Sequence, residues 1–479
     1  MEEKQDMIFR ISKYIPSVEK PLYKHSINEK LKWTGLALIA YLALSSITVY
    51  GIAPQTFEQF RFLEIVLGSK FGSIMTLGIG PLVTAGIILQ LLVGSKILNW
   101  DTKTPAGRKK FQAWNRVLSI TFALVEAVAY VLAGALGPVA ASGPAITAFV
   151  IGQLALGGII VILLDDLVTK WGFGSGISLF IVAGVSSQIL VRALSPLAQS
   201  CAALQFAACV PNSANPPTGL LWNFLISFLS GNPTNALISA IPLISTVLIF
   251  LVVVYAQSIA VNVPLAYSAL RGFGRTWSLK FFYTSNLPVI LAAALLANFQ
   301  LIGQFGLQAT PDGLKCGPLG CYDAQGNARD GLAFYLSTPS NFLITLVTNG
   351  FVTAEVVRVL IHIILFAVLS MVFAMFWVNT AGMDAKSVAE QLESVGMQIP
   401  GYRRDPRIIE SVLNRYIPSL TILGGLAVGI LAAVADVTGA IGTGTGILLS
   451  VMIIYQLYEQ LGNENLEGAH PLLRKVMGK

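Results

Sequence analysis

Residues that could carry out chemistry are scarce in this chain. Its three histidines, His25, His362 and His470, lie far apart in different segments of the 479 residues. No spacing of His, Cys, Asp or Glu resembles a metal site, and no G-x-S-x-G nucleophile motif occurs. We therefore expect no enzyme activity, no metal site and no cofactor.

Ionisable groups inside apolar segments are the second place where chemistry could reside. Ion-coupled transporters need buried carboxylates or basic groups to carry protons or ions, and only Glu126 and His362 lie well inside such a segment. An inverted-repeat secondary transporter of a small solute is therefore the alternative interpretation. A lipid scramblase or insertase stays open as a third. The ionisable groups at segment edges are Asp165, Asp166, Glu355, Arg358 and Asp436.

The composition indicates an integral membrane protein. Hydrophobic residues make up 54% of the chain and charged residues only 11%, whereas about a quarter of a soluble protein is charged. Roughly 20 apolar residues are needed for a helix to cross ~30 Å of hydrocarbon. We predict an all-α protein with ten spans, near 33–52, 73–95, 117–136, 145–164, 177–194, 240–261, 287–302, 352–378, 417–437 and 446–461. The apolar piece 58–68 is too short to span and is predicted as a half-helix before span two.

The distribution of basic residues predicts the orientation. With both termini in the cytosol, all but six of the 31 Lys and Arg residues fall in segments on the cytosolic side. Basic residues concentrate on that side of membrane proteins. The first 32 residues place Ile8, Ile11 and Ile15 on one helical face, which is typical of an amphipathic segment on the membrane surface. An ordinary solvated helix fits the same pattern.

All four cysteines fall in the two long loops on the outer side, where an oxidising exterior permits disulfides. The local pairs Cys201–Cys209 and Cys316–Cys321 are the simplest of three possible connectivities. We expect such disulfides to brace the loops and not to act in catalysis.

A repeated glycine motif indicates an internal duplication. G-x-G-[ST]-G-I occurs at 172–177, before span five, and again at 442–447, before span ten. Because the copies lie five spans apart, they enter the membrane from opposite sides, as in inverted-topology repeats. The predicted fold is two five-helix halves that face each other across a cleft.

Several longer motifs resemble the SecY family, and the resemblance runs from about residue 20 to 475. The amino-acid sequences of these motifs are most similar to those of archaeal members and of the eukaryotic translocon alpha subunit. The motifs are TLGIGPLVTAGIILQLL, RKKFQAWNRVLSITFALVEAV, GFGSGISLFIVAGVS, VPLAYSALRGFG, TSNLPVILAAALLANFQL, YLSTP, FWVNTAGMDAKSVA and GTGTGILLSV...YEQL.

The resemblance implies the pore-forming subunit of a protein translocation channel in the cell membrane. Such a channel passes unfolded secretory polypeptides and releases membrane spans through a lateral gate. The implied partners are small single-span subunits of the SecE/gamma and beta types, the ribosome, nascent chains with signal sequences, and lipid. An outside loop at 195–236 is longer than expected for the family and has no assigned role.

The resemblance also assigns site residues. An apolar pore ring is implied at Ile79, Val83, Ile177, Ile181, Ile290 and Leu449. The half-helix would be a plug, carried by Phe60, Phe62, Leu63, Ile65, Val66 and Leu67. A polar gate cluster is implied at Thr84, Glu126 and Asn298. Two basic cytosolic loops would dock the ribosome through Arg271, Arg275, Lys280, Arg403, Arg404, Arg407 and Arg415.

The domain organisation follows from these assignments. We predict a cytosolic N-terminus at 1–32, a first half at 33–195, an outside loop at 196–236, a second half at 237–461 and a cytosolic tail at 462–479.

Overall fold

A computed structural model describes most of residues 15–468. The positions outside the description within that range are 24, 53–63, 65–67, 96, 99, 101–103, 133–135, 137–142, 199–210, 212–215, 268–273, 285, 304–306, 311–313, 324–327, 340–341, 395–396 and 399–405.

The described residues form a mainly helical protein. In chain order the helices are α1 Ile27–Ser46, α2 Gly80–Gly94, α3 Pro105–Leu132, α4 Pro144–Trp171, α5 Gly176–Leu194, α6 Leu220–Leu229, α7 Pro233–Gln257, α8 Leu287–Ile302, α9 Leu332–Leu336, α10 Phe342–Asn349, α11 Thr353–Thr380, α12 Ala385–Ser394, α13 Pro406–Val437 and α14 Gly444–Gly468.

Each predicted span coincides with one of these helices, which confirms the helical membrane fold. Among the described residues, α3, α4, α5, α7, α11 and α13 are long and apolar enough to cross a membrane. The helices α2 and α8 are apolar but shorter. Ten crossings therefore stay a prediction. Span two differs most from its expected range, because residues 73–79 are not helical, with Gly78 at φ 53°, and the helix begins at Gly80 with Pro81 in its first turn.

The helices pack around one buried apolar cluster. It includes Leu77 near α2, Phe180 on α5, Phe366 on α11 and Leu449 on α14. Glycines let helices approach closely where α13 meets α11, since a Cβ at Gly429 would lie 2.8 Å from the Cα of Ala367. Small residues serve this purpose in membrane helix packing.

Two contacts lie at one end of the helix bundle. Trp171, at the end of α4, donates its Nε1 hydrogen to the carbonyl oxygen of Glu19 at 2.7 Å, and Lys280 pairs with Glu459 near the end of α14. We call the end at which α1 begins and α14 ends the inner end. The opposite end is the outer end.

Two small sheets add to the helices and were absent from the sequence prediction. At the inner end, β1 Ala260–Tyr267 pairs antiparallel with β2 Gly274–Lys280 and also with β7 Met397–Gln398. At the outer end, β3 Gln308–Ala309, β4 Lys315–Gly317, β5 Gly320–Tyr322 and β6 Ala328–Asp330 form a four-stranded meander. Both sheets lie in segments that the sequence analysis treated as loops between spans, without assigning strands to them.

The long outer loop contains the apolar helix α6. The Nε1 of Trp222 on this helix donates to the carbonyl oxygen of Leu194 at 2.9 Å, which fixes α6 to the end of α5. A turn at Gly231, with φ 74°, then leads into α7. The loop therefore has a helix of its own, which the sequence analysis had left unassigned.

Candidate functional site

The six apolar residues of the predicted pore ring all belong to the large central apolar cluster or pack against it. Ile79 directly precedes α2 and Val83 lies in its first turn, where the Val83 N–H donates to the Ile79 carbonyl oxygen at 3.0 Å. Ile181 on α5, Ile290 on α8 and Leu449 on α14 are at most 1% exposed. Together with Ile79 and Val83 they belong to the central apolar cluster, and Ile177 packs against it. Residues at the start of α2 and on α5, α8 and α14 thus contribute aliphatic side chains to one buried apolar region, which we call the apolar zone.

A polar seam runs beside this zone. Thr84 on α2 donates its Oγ1 hydrogen to Oε1 of Glu126 on α3 at 2.9 Å. Asn298 on α8 donates from Nδ2 to Thr84 Oγ1 at 3.4 Å. The structure therefore brings together the three residues that the resemblance assigned to a gate. A hydroxyl can donate and accept at once, so Thr84 links the other two across α2.

The plug residues Phe60, Phe62, Leu63, Ile65, Val66 and Leu67 lie outside the described residues. Described residues in and after this segment form hydrogen bonds. Tyr41 on α1 donates its hydroxyl hydrogen to the carbonyl oxygen of Gly68 at 2.5 Å, and its ring stacks on Phe180 with centroids 4.8 Å apart. Glu64 accepts the Phe71 N–H at 2.8 Å. The first bond attaches Gly68 to α1, whose Tyr41 ring packs on α5, and the second joins Glu64 to Phe71.

The two basic loops form one surface at the inner end. The end of β1 pairs with β7, as Ala266 faces Gln398 and Tyr267 faces Met397. Tyr283, just after β2, donates its hydroxyl hydrogen to the Met383 carbonyl oxygen at 2.7 Å. Burial, followed by the nearby carboxylate of Asp384, raises the pKa of Tyr283 to about 12, so its hydroxyl keeps the proton at neutral pH.

The basic residues of these loops are placed unequally. Arg275 lies on β2, while Arg407 and Arg415 are exposed at the start of α13. Arg271, Arg403 and Arg404 lie outside the described residues. Lys280 pairs with Glu459, and its Nζ lies 4.8 Å from the centroid of the Tyr455 ring. Its charge therefore serves an internal contact at the base of the hairpin.

The cysteines are placed in part. Cys316 on β4 and Cys321 on β5 face each other in the sheet and form a disulfide with an S–S distance of 2.00 Å. Cys201 and Cys209 lie outside the described residues.

Two helix starts reveal functional geometry that the sequence analysis missed. Asp165 near the end of α4 accepts the Ile177 N–H in the first turn of α5 at 3.0 Å. Asp436 near the end of α13 likewise accepts the Thr445 N–H in the first turn of α14 at 2.7 Å, and also binds the Thr445 hydroxyl. Both acids were noted only as edge residues. The available signal was that each acid comes shortly before a glycine motif, 7 residues before Gly172 and 6 residues before Gly442.

Asp165 and Asp436, the two acids that bind these helix starts, also have other notable neighbours. Ile177 itself belongs to the predicted ring, so Asp165 positions it through the backbone. Asp436 also lies 3.8 Å from Nε2 of the buried His362, measured from its Oδ2. Carboxylates are favoured at helix N-termini, where the first N–H groups lack helical partners.

Comparisons with known proteins identify the family of this chain. The family model SecY matches residues 73–458, and the model described as Plug domain of Sec61p matches residues 39–72. The protein translocase subunit SecY of Pyrococcus horikoshii is 43% identical to this chain, with 98% of the chain and 99% of the relative covered.

Solved structures of similar sequence share the fold. One described as "The structure of a protein conducting channel" is 41% identical, with a TM-score of 0.81, and the match covers 97% of this chain and 98% of that one. A second, described as "Sec61 in the Canine ribosome-channel complex from the endoplasmic reticulum", is 41% identical with a TM-score of 0.78 over the same shares. Because the family model matches most of its length and a relative is 43% identical over 98% of the chain, this chain belongs to the SecY family.

Proposed function

We propose that the chain is the channel-forming subunit of a protein translocase, which passes unfolded secretory polypeptides across the membrane and releases apolar segments sideways into lipid. The observation that carries the proposal is the buried apolar zone to which α2, α5, α8 and α14 contribute aliphatic side chains. An aliphatic constriction offers no hydrogen bonds that would hold a passing chain, and it excludes water and ions when empty.

The polar seam fits a gate between helices. Interhelical hydrogen bonds in membranes are worth roughly 0.6–2 kcal/mol each. The bond from Asn298 to Thr84 would hold α8 against α2 in the resting channel, while the bond from Thr84 to Glu126 joins α2 to α3. The same seam is weak enough for an incoming apolar signal segment to displace.

The partners and the orientation extend this proposal. We place both termini in the cytosol, so that the sheet β2-β1-β7 and the start of α13 face the ribosome there. Small single-span subunits of the SecE/gamma and beta types would bind the outer faces of the helices, where many large apolar side chains are exposed. Phosphate contacts suit the basic loops, because Lys and Arg release counterions from ribosomal RNA.

The waist is tested by removing its apolar bulk. Changing Ile79, Ile177 and Ile290 together to Ser should wet the constriction, because exclusion of water needs bulky apolar walls. We expect the resting ion conductance in planar bilayers to rise clearly above that of the parent.

A matched triple variant controls for the loss of three isoleucines. Ile244, Ile364 and Ile454 are 64%, 63% and 52% exposed on α7, α11 and α14, and changing them to Ser should leave the resting conductance unchanged. Equal leakage from both triple variants, or from neither, would contradict the assignment of the waist.

A further inference from the structure

Residues 16–19, which we call the strap, bridge the inner ends of α3 and α4. Three side chains of these helices donate hydrogen bonds to three backbone carbonyl oxygens of the strap. The pairs are Arg116 to Pro16 at 2.9 Å, Lys170 to Val18 at 2.7 Å and Trp171 to Glu19 at 2.7 Å. Because the acceptors are backbone carbonyls, these bonds do not depend on the side chains of the strap, and no sequence pattern in it indicates the contact.

A carboxylate on α4 completes this contact. Asp166 pairs with Arg116 of α3, and its Oδ2 also lies 3.3 Å from Nζ of Lys170, one turn further along α4. The Arg116 and Lys170 side chains are 18% exposed and that of Asp166 is 23% exposed, so the group lies mostly out of water. Two cations thus share one carboxylate, and the carbonyl oxygens of the strap supply the further acceptors that these cations need. Hydrogen bonds from charged donors are roughly twice as strong as neutral ones.

The chain that follows the strap leads into α1 through an aromatic contact with the end of α4. The His25 and Trp171 rings have their centroids 4.9 Å apart, and Trp33 on α1 meets Trp171 edge-on at 5.3 Å. The side chain of Ser26 then caps α1. The inner ends of α1, α3 and α4 are therefore fastened together around the last turn of α4.

The helix α3 connects this fastening to the polar seam. It runs as one helix from Pro105 to Leu132, and Glu126 follows Arg116 by ten residues, which is roughly 15 Å along the helix axis. A helix that is fixed at its inner end has little freedom to tilt. The fastening therefore helps to hold the Glu126 carboxylate where it accepts the Thr84 hydroxyl hydrogen.

We propose that Arg116 is a positioning residue for the gate, which acts by fastening α3 to the strap and to α4. The fastened helix keeps Glu126 in the seam and favours the closed channel. Release of the strap lets α3 tilt and weakens the bond between Thr84 and Glu126. The role in transport rests on the proposed channel function, whereas the attachment of the strap and its coupling to the seam are measured without transport.

Cleavage of the full chain in detergent by the protease Glu-C, which cuts after glutamate, tests the attachment. The bond after Glu19 contains the carbonyl group that Trp171 binds, so the fastened strap should be protected there. Arg116→Gln should raise the rate of this cleavage about tenfold, the effect of losing one charge-assisted hydrogen bond. Lys170→Gln, which leaves Arg116 in place, should raise it similarly. Lys109→Gln removes the same charge from an exposed residue of α3 and should be cleaved like the parent.

A double-mutant cycle tests whether Arg116 acts on the seam. Arg116→Gln and Thr84→Val are made singly and together, and the thermal unfolding midpoint of each chain is measured in detergent. Effects of distant, independent sites add. We expect Arg116→Gln to lower the midpoint less in the Thr84→Val chain than in the parent, because the seam is already broken there. A control cycle with Lys109→Gln in place of Arg116→Gln should be additive.

Translocation into vesicles then measures the effect on the gate. Arg116→Gln should increase transport of weakly hydrophobic signal sequences relative to strong ones, because the seam parts more easily.

Three results would overturn the proposal. Equal cleavage of Arg116→Gln and Lys109→Gln would show that Arg116 does not hold the strap. Additive midpoints in the cycle with Thr84→Val would show that it does not act on the seam. Unchanged signal selectivity would remove its role in the gate. A parent chain that transports no signal sequence would contradict the proposed function and the gating role together, while the cleavage rates and midpoints would still show whether Arg116 positions Glu126.

Discussion

Thr84 occupies the middle of the polar seam, and each neighbour uses it differently. Glu126 only accepts from the Thr84 hydroxyl, whereas Asn298 only donates to it. An amide at position 126 can still accept the same hydrogen, because its oxygen replaces one carboxylate oxygen. The charge of Glu126 is thus dispensable for the seam, while a transporter would need it as a coupling group.

We predict that Glu126→Gln keeps transport and that Asn298→Leu changes its selectivity. Leucine removes the Asn298 donor and adds apolar contact, so a change of roughly 1.4 kcal/mol would shift the ratio of open to closed channels about tenfold. Translocation of a graded series of signal sequences into vesicles measures this. Weakly hydrophobic signals should respond most.

The control on the same helix is Phe299→Leu, since Phe299 is 44% exposed and takes no part in the two hydrogen bonds of the seam. It should behave like the parent. If Glu126→Gln stops transport of every substrate while Asn298→Leu alters none, the transporter interpretation replaces the gate.

At the scale of elements, the seat of the plug segment depends on one hydroxyl. The Tyr41 ring stacks on Phe180 and its hydroxyl binds the Gly68 carbonyl oxygen. We predict that Tyr41→Phe keeps the stack, loses the bond and increases brief ion-conducting openings in planar bilayers. A net hydrogen bond of about 0.5–1.5 kcal/mol corresponds to roughly a twofold to tenfold change. Tyr50→Phe, at a residue that is 73% exposed, should leave the openings as they are.

The capped starts of α5 and α14 allow a second prediction at this scale. Asp436→Asn keeps an oxygen for the Thr445 N–H, whereas Asp436→Leu leaves that fully buried group unpaired. The leucine variant should lose about 1–3 kcal/mol of stability, seen as a lower thermal unfolding midpoint in detergent. Asp165→Asn and Asp165→Leu should differ in the same direction. Equal midpoints for the asparagine and leucine variants would show that the N–H finds another acceptor.

The elements also show how far the sequence alone reaches. Long apolar runs predicted the positions of the spanning helices, because length and hydropathy are local properties. Span two was predicted from 73 but its helix begins at Gly80, since Gly78 and Pro81 act through backbone geometry. The contact of Asp436 with Thr445 depends on how α13 meets α14, which no local pattern encodes. The seam was found only through the resemblance.

At the scale of the whole molecule, we propose that charge on the inner end governs docking of the ribosome. We predict that changing Arg403 and Arg404 to Glu lowers ribosome binding and makes the residual binding less dependent on salt, because fewer phosphate contacts release fewer counterions. Folding should be unaffected, since solvated charges contribute little to stability. Sedimentation with ribosomes over a range of salt concentrations measures both effects.

The control moves the same charges to another part of the inner end. Lys20 and Lys109 are exposed there and lie outside both loops, so changing both to Glu gives the same net charge. That variant should bind ribosomes nearly like the parent. Equal losses in the two variants would show that only the overall charge matters.

The three-stranded sheet at the inner end has a mechanical consequence. Because β7 is joined to β1, and Tyr283 is tied to Met383, neither basic loop can tilt without the other. The hairpin continues into α7 and α8, and the second loop into α11 and α13. A force applied by a docked partner would thus be transmitted to all four helices through this sheet, which acts as one lever. Force on that lever would act as a torque on α8 against α2, at the place where Asn298 meets Thr84.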